Sequence, residues 1–339
     1  MKVRRVLVLL ASSSVVLLVA GGPAMARQEN KYSGPKQNTS ASTNGNQVAA
    51  RVSFRYSSPG IPGSGPIASV DTNWTPPPCW YQPAYTASEF RDARQGLWSA
   101  VVHDPGAPDV ARRDISQQNQ GYADDNYNID KEKEGMWWDA EYSPDATLAE
   151  MQKCNKPPFW VKNGETPDVP QAIKPEILAG LAYQQIKVPG TKVSLAPADV
   201  TKVNLPTWAW LEKAKFKPVS VTASLDAPGL HIEATATATP TGLTLEPGTQ
   251  DATLFPANGQ CALNGDGSIG TRWTKGASGA PPCGVTYLRS SGDGTFDLHA
   301  TATWKIAWHG SGGTGGDLPD GQYGNNQPVK VQEVQAVNR

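Results

Sequence analysis

Few side chains in this sequence have the types and spacing that enzymatic chemistry requires. The four histidines, His103, His231, His299 and His309, are scattered, and the nucleophile motif Gly-x-Ser-x-Gly is absent. A Ser-His-Asp site assembled from distant residues stays open, because such triads are recognised by geometry and not by sequence order. The sequence favours a protein that is not an enzyme and for which no catalytic residue is assigned, with a secreted hydrolase kept as an alternative.

Paired carboxylates are the second chemistry to consider. Glu134 and Asp139 flank the segment Gly135-Met136-Trp137-Trp138 and are the best candidates for a glycosidase pair. Glycoside hydrolysis depends on the distance between two such carboxyl groups, which is a property of the fold.

One stretch matches a cofactor motif and a cation motif at once. Residues 265–270 match G-x-G-x-x-G, but they lie between two cysteines of a β-rich region and lack the βαβ context of a dinucleotide site. Asn264, Asp266 and Ser268 alternate as in a calcium loop, but Lys275 stands where a bidentate Glu is needed. A Gly/Asp turn is the simpler interpretation. We therefore predict no cofactor and no metal.

Tryptophans are the best candidates for binding. Trp80 follows three prolines, and the pair Trp137 and Trp138 interrupts a polar stretch. Their ring faces could stack on sugar, or they could pack in the core. The hypothesis of a glycan-binding site at Trp80, Trp137 and Trp138 thus depends on the exposure of these rings.

The four cysteines indicate an oxidising compartment. Four cysteines allow three pairings, and local order favours Cys79–Cys154 and Cys261–Cys283. Zinc is the competing hypothesis, but no pair has the close spacing of a zinc knuckle.

The first 26 residues have the pattern of a secretory signal. Lys2, Arg4 and Arg5 precede an apolar stretch, and Ala24-Met25-Ala26 is a small-x-small cleavage site. The apolar stretch is too short for a spanning helix, and no second one follows, so we expect no membrane span after cleavage. The predicted location is secreted or extracellular, with cell-wall association possible.

Composition excludes several classes of partner. Removing the three basic residues of the leader from a formal net charge of −1 leaves −4, which does not suit nucleic acid or an anionic membrane. The chain has 33 Gly and 29 Pro with 18% charged residues, which is typical of a loop-rich, β-leaning exported protein.

The pattern along the chain predicts four segments. After the signal peptide (1–26), residues 27–70 are polar and predict a disordered linker. Residues 71–200 predict a small, disulfide-linked helical or irregular region, with a helix that starts at the capping box Thr86-Ala87-Ser88-Glu89 and further helices at 145–153 and 175–185. Residues 201–339 predict a β-sandwich.

The prediction of β-strands rests on apolar and polar residues that alternate with a period of two. In residues 297–308, Leu298, Ala300, Ala302, Trp304, Ile306 and Trp308 fall on one face of the strand. Residues 219–225 and 230–238 alternate in the same way, and a closing strand is predicted at 329–337. The predicted fold class is α+β, mainly β, ending in an immunoglobulin-like sandwich.

Two resemblances accompany this prediction. The segments Pro78-Cys79-Trp80-Tyr81, Gly135-Met136-Trp137-Trp138 and Asn204-Leu205-Pro206-Thr207-Trp208 resemble a group of exported actinobacterial proteins of unknown function. Tyr287-Leu288-Arg289-Ser290-Ser291, followed by Gly294-Thr295-Phe296-Asp297-Leu298, resembles the later strands of a PKD-type, immunoglobulin-like domain, although the hallmark Trp-Asp-Phe-Gly-Asp-Gly is missing. The second resemblance implies an extracellular spacer or contact surface.

Three hypotheses about function follow. The first is an exported, non-enzymatic structural or adhesive protein at the cell surface. The second is a cell-wall glycan-binding module that uses exposed Trp, and the third is a hydrolase. Partners would be wall glycan or a surface protein, and nucleic acid is not expected.

Overall fold

The computed structural model describes residues 51–57, 64–198, 200–212 and 216–334. The predicted signal peptide and residues 27–50 of the predicted linker lie outside these ranges. The described part is mostly β, in several antiparallel sheets with four α-helices, which confirms the predicted α+β, mainly β class. The helices are α1 (Ala87–His103), α2 (Asp109–Asp124), α3 (Leu148–Met151) and α4 (Pro175–Gln184). The strands are β1 (Ser53–Tyr56), β2 (Gly65–Pro66), β3 (Ala68–Ser69), β4 (Cys79–Tyr85), β5 (Gly135–Tyr142), β6 (Phe159–Lys162), β7 (Lys187–Val188), β8 (Ser194–Ala196), β9 (Val200–Lys202), β10 (Thr207–Leu211), β11 (Val219–Ala227), β12 (Leu230–Glu246), β13 (Ala252–Phe255), β14 (Gln260–Ala262), β15 (Ile269–Gly270), β16 (Gly284–Tyr287), β17 (Phe296–Gly310) and β18 (Gly315–Gln332).

An eight-stranded sheet is the largest element. Its main order is β1-β11-β12-β17-β18-β3, with β14 paired to β12 and β9 paired in parallel to β18. The long strands β12 and β17 alternate as predicted, and the inward face is made largely of fully buried alanines. These are Ala223, Ala234, Ala236, Ala238, Ala300 and Ala302. The predicted closing strand is longer than expected and begins at Gly315, while residues 335–339 lie outside the described part.

Two different elements cover this alanine face. Helix α4 packs on β11, β12 and β17, and Pro175 at its first turn approaches Gly310 so closely that a Cβ there would lie 2.7 Å from the proline. A five-stranded sheet, β13-β16-β10-β15 with β8 paired to β10, supplies further residues to the same hydrophobic core. The small alanine side chains permit this close approach because they add little thickness to the sheet.

Both predicted disulfides are confirmed. Cys79 and Cys154 join the start of β4 to the end of the short helical segment after α3. Cys261 lies in β14 of the eight-stranded sheet, whereas Cys283 immediately precedes β16 of the five-stranded sheet. The second bridge therefore connects the two sheets.

The region before residue 200 is more regular than the sequence indicated. Strands β4, β5 and β6 form a three-stranded antiparallel sheet, and α1 begins at the predicted capping box of Thr86 and Glu89. Helix α2 occupies a stretch that looked polar and turn-rich, because it buries only Ile115. Core residues from both sides of position 200 belong to one hydrophobic cluster, so this boundary does not separate two cores.

The prediction of a disordered linker is wrong for its last part. Ser53–Tyr56 pairs with β11 as an edge strand, and β2 and β3 pair with β7 and β18. Ile67 is buried in the main core, and Val52 and Phe54 pack against it. The order of these segments comes from backbone hydrogen bonds to distant strands and from these core contacts, which a local composition argument does not detect.

A glycine pair joins the three-stranded sheet to the large one. Gly229, in the turn between β11 and β12, has φ of +72°, and a Cβ there would lie 3.1 Å from the backbone nitrogen of Gly164. We predict that Gly229→Ala lowers the free energy of unfolding by about 1–2 kcal/mol, because alanine is strained at this φ and also crowds the contact. Chemical denaturation measures the effect, and Gly265→Ala, where a Cβ meets nothing within 4 Å, is the matched control. Equal losses in the two variants would contradict the assigned contact.

Buried tyrosines predict alkaline sensitivity. Burial raises the pKa of Tyr287, whose ring stacks on Phe296 with centroids 5.2 Å apart and whose hydroxyl donates to the Pro247 carbonyl. Burial also raises the pKa values of Tyr122 and Tyr183. A raised pKa of the folded state stabilises the fold fully below the unfolded value, which is about 10, and this contribution is lost as the pH rises further.

We therefore expect the free energy of unfolding to fall above about pH 10, and to fall less steeply in Tyr287→Phe. Urea denaturation at a series of alkaline pH values measures both slopes. The variant should also lose about 1 kcal/mol at neutral pH with its hydroxyl hydrogen bond. Identical alkaline slopes in the two proteins would rule out a contribution of Tyr287.

Candidate functional site

The three tryptophans predicted to bind glycan are buried. Trp80 is 6% exposed, Trp137 is 5% exposed and Trp138 is 2% exposed. Rings in this position cannot stack on an external sugar. The predicted glycan site at these residues is therefore wrong for this structure.

The strand β5 explains the burial of the paired tryptophans. It is the central strand of the three-stranded sheet, and both of its faces are covered. Trp138 points into the main core, whereas Trp137 stacks on Phe90 of α1, with ring centroids 4.2 Å apart. The indole Nε1 of Trp137 donates to the Tyr127 carbonyl at 2.9 Å, so its polar atom is satisfied inside the protein.

Trp80 is satisfied in the same way. Its Nε1 donates to Oε1 of Gln82 at 2.8 Å, and Gln82 is itself buried. Three prolines at residues 76–78 directly precede β4, in which Trp80 is buried.

The catalytic candidates do not converge in the described part of the chain. Asp139 lies on β5 opposite Gln82, while Glu134 is exposed just before that strand. His103 Nδ1 contacts the Ser99 carbonyl oxygen at 2.8 Å, and His231 Nδ1 contacts Asp226 at 2.5 Å. Among the hydrogen bonds of the described residues, none joins a serine hydroxyl, an imidazole and a carboxylate in series.

The glycine motif at residues 265–270 forms a turn that leads into β15. Asp266 Oδ1 accepts from the backbone nitrogen and the hydroxyl of Ser268, and Asn264 Nδ2 donates to the Gly270 carbonyl. A short strand follows this turn, so the geometry is not that of a dinucleotide loop. Within the described ranges, no group of three or more His, Cys, Asp or Glu side chains is placed to hold a metal ion.

A buried arginine marks the helical hairpin formed by α1 and α2. Arg94 is 2% exposed, and its guanidinium lies over the Tyr122 ring at 5.1 Å from the centroid. Burial lowers the pKa of Arg94 from its ordinary value, and the negative side of the aromatic ring offsets part of this cost. Its Nη2 donates to Gln118 at 3.4 Å, which ties α1 to α2.

The structure instead exposes aromatic rings at a cleft beside β10. The cleft has a volume of about 520 Å³ and lies between β8, the approach to β10 and a loop at residues 271–283. We name it the Trp208–Trp273 cleft. Its lining is Ala196, Pro197, Leu205, Pro206, Trp208, Trp273, Ala277, Ser278 and Gly279.

Strand β10 provides one wall of the cleft. Thr207, Ala209 and Leu211 face the core, so Trp208 and Trp210 project together from the outer face, roughly 7 Å apart along the strand. Trp208 lies opposite Ala196 of β8 on one side and Gly284 of β16 on the other. These small neighbours leave the Trp208 ring partly exposed.

The loop at residues 271–283 provides the second wall and carries Trp273. It leaves the edge of β10 after Gly270, which pairs with Trp210, and returns at Gly284, which pairs with Trp208. Both ends therefore lie on one edge of the same strand, and Cys283 anchors the return to Cys261. Compact loops with closely spaced ends frequently carry binding residues. Trp273 is 42% exposed.

The lining of the cleft suits binding rather than catalysis. None of the residues that line it is an acid, a base, a histidine or a cysteine, and Ser278 is the one hydroxyl-bearing side chain among them. Two indole rings from different elements offer flat apolar faces, and each indole carries one N–H donor. Such a surface can hold a ligand that has both an apolar face and hydroxyl groups.

We did not predict this cleft, although the sequence contains a signal for it. The segment Thr207-Trp208-Ala209-Trp210-Leu211 alternates with a period of two, which places both tryptophans on the face opposite Ala209 and Leu211. From the sequence alone, the same apolar and aromatic segment also fits a packed junction between the two halves of the chain. Trp273, in a glycine-rich stretch between two cysteines, had the local context of a surface loop.

Comparisons of the chain with protein-family models, curated proteins and solved structures found no match. The resemblances to exported actinobacterial proteins and to a PKD-type domain stay predictions. No helix of the described residues is long and apolar enough to cross a membrane.

The contrast between buried and exposed tryptophans predicts different stability losses. Trp138→Ala should lower the free energy of unfolding by about 3–5 kcal/mol, because it opens a cavity in the core. Trp273→Ala should change it by less than about 1 kcal/mol, since the loop ring is exposed. Chemical denaturation followed by far-ultraviolet circular dichroism measures both. A loss above about 3 kcal/mol for Trp273→Ala would show that this ring is part of the core.

Proposed function

We propose that this protein is an exported, non-enzymatic adhesive protein that binds cell-wall glycan through the Trp208–Trp273 cleft. The observation that carries the proposal is the pairing of a partly exposed indole ring from β10 with an exposed one from the 271–283 loop, in one cleft without titratable lining residues. Sugar rings present C–H faces that stack on indole, while their hydroxyl groups face outward or bond to N–H donors.

Two features typical of exported proteins support a site of action at the cell surface. The two disulfides are typical of proteins from oxidising compartments. The leader-like pattern of residues 1–26 and the polar stretch after it are consistent with a protein held at, or released from, the cell surface.

The rigidity of the scaffold also supports a binding function. One wall of the cleft belongs to a sheet whose inner residues are fully buried, and the other wall is anchored by Cys283 at its return. A preorganised site loses little conformational entropy when the ligand binds.

The test is binding of the protein to insoluble actinobacterial peptidoglycan, measured by depletion from solution. We expect saturable binding that Trp208→Ala and Trp273→Ala each weaken at least about tenfold, because tryptophans at the centre of an interface carry much of its energy. Trp98→Ala is the matched control, since Trp98 is 38% exposed on α1 and does not line the cleft.

Three outcomes would overturn the proposal. The wild-type protein could fail to bind the wall, or the two cleft variants could bind as tightly as Trp98→Ala. The protein could also release soluble fragments from the wall, with one substitution abolishing that release, which would establish the hydrolase hypothesis instead. Circular dichroism confirms that each variant is folded.

A further inference from the structure

We infer that the glycan bound in the Trp208–Trp273 cleft is anionic and that its carboxylate or phosphate groups meet Arg272 and Lys275. This inference rests on the proposed function, because it specifies the chemistry of the ligand in the same cleft. It begins from an uneven distribution of charge. The sequence after the predicted leader is acidic overall, but the 271–283 loop has two basic residues and no acidic residue.

Both cations are placed next to an exposed ring. Arg272 directly precedes Trp273, and Lys275 follows it by two residues, on the loop that forms one wall of the cleft. Both side chains belong to exposed residues. Neither forms a salt bridge with another described residue, unlike Arg289, which pairs with Asp251.

The acids on two neighbouring segments have hydrogen-bond partners of their own. Asp266 accepts two hydrogen bonds from Ser268 in the turn before β15. Glu212 accepts from Trp210 Nε1 at 3.0 Å. The loop itself thus carries two positive charges and no negative one.

Charge and ring stacking act together on one class of ligand. A neutral glycan uses the indoles but gains nothing from the two exposed cations on the same loop. A glycan with periodic carboxylate or phosphate groups uses both, since charge-assisted contacts to lysine and arginine favour such groups. The uncharged lining of the cleft then holds the sugar ring, and the loop holds its charge.

The experiment uses the full-length protein and three preparations of one cell wall. The first is untreated, the second is treated with hydrofluoric acid to remove phosphodiester-linked polymers, and the third is amidated with carbodiimide to neutralise carboxylates. We expect weaker binding to one of the treated walls, and this identifies phosphate or carboxylate as the partner. Binding should also weaken as the ionic strength rises from about 0.01 M to about 1 M, where the Debye length falls from about 30 Å to about 3 Å.

Variants connect the effect to the two residues. The double variant Arg272→Gln/Lys275→Gln should bind the untreated wall about threefold to tenfold more weakly, because exposed charge pairs are individually modest. On the treated wall to which the wild type binds more weakly, this double variant should bind like the wild type. Arg113→Gln/Lys133→Gln removes the same charge from exposed positions on α2 and before β5, and it should leave binding unchanged.

The outcomes separate this inference from the proposed function. If Trp273→Ala abolishes binding while both treatments and the Arg272→Gln/Lys275→Gln variant have no effect, the ligand is a neutral glycan and the inference is overturned alone. If Trp273→Ala binds like the wild type, the cleft is not the site, and both proposals fall. Equal losses in the two double variants would show that total charge matters and would also overturn the inference.

Discussion

The inner face of the eight-stranded sheet must be covered over a length that no single element can span. Its longest strands, β12, β17 and β18, have 17, 15 and 18 residues, or roughly 50–60 Å when extended. Helix α4, with 10 residues, covers only about 15 Å. The remaining apolar surface requires the five-stranded sheet, so the position of β10 and its tryptophans follows from this requirement.

A β-bulge helps the large sheet to pack against both helix α4 and the five-stranded sheet. The register between β12 and β17 shifts between Pro240 and Gly242. A proline cannot donate to the ladder and is tolerated at such an irregularity. The extra residue bends the strand and increases its twist. The Cys261–Cys283 bridge then fixes one sheet against the other close to the cleft.

Local patterns in the sequence predicted local structure well. The alternation at 297–308 and the capping box at Thr86 are decided by neighbours in sequence, and both are present. The cysteine pairs, 75 and 22 residues apart, were predicted from their order along the chain, and both bridges are present. The failures concern burial and pairing between distant segments. The sequence did not decide whether Trp137 and Trp138 are exposed or buried, because only the tertiary fold covers both faces of β5. Ser53–Tyr56 looked disordered because its partner strand lies more than 160 residues away.

The Trp208–Trp273 cleft is a second case in which the sequence did not decide which residues are buried. The alternation of Trp208 and Trp210 with Ala209 was visible, but the sequence does not say which face of a strand meets the core when both faces are apolar. Burial of Thr207, Ala209 and Leu211 decides the question. Because these three residues face the core, Trp208 and Trp210 lie together on the outer face of the strand.

The closure of the 271–283 loop has a consequence for how such a protein can change. Its two ends are held by one edge of β10 and by a disulfide, and they do not depend on what lies between them. The entropy of closing a loop rises slowly with its length, so insertions and replacements there disturb the fold little. The sheet that supports the loop and the loop itself are thus separable. This loop is where the chain could change its surface, by natural drift or by grafting, while the rest of the molecule stays as it is.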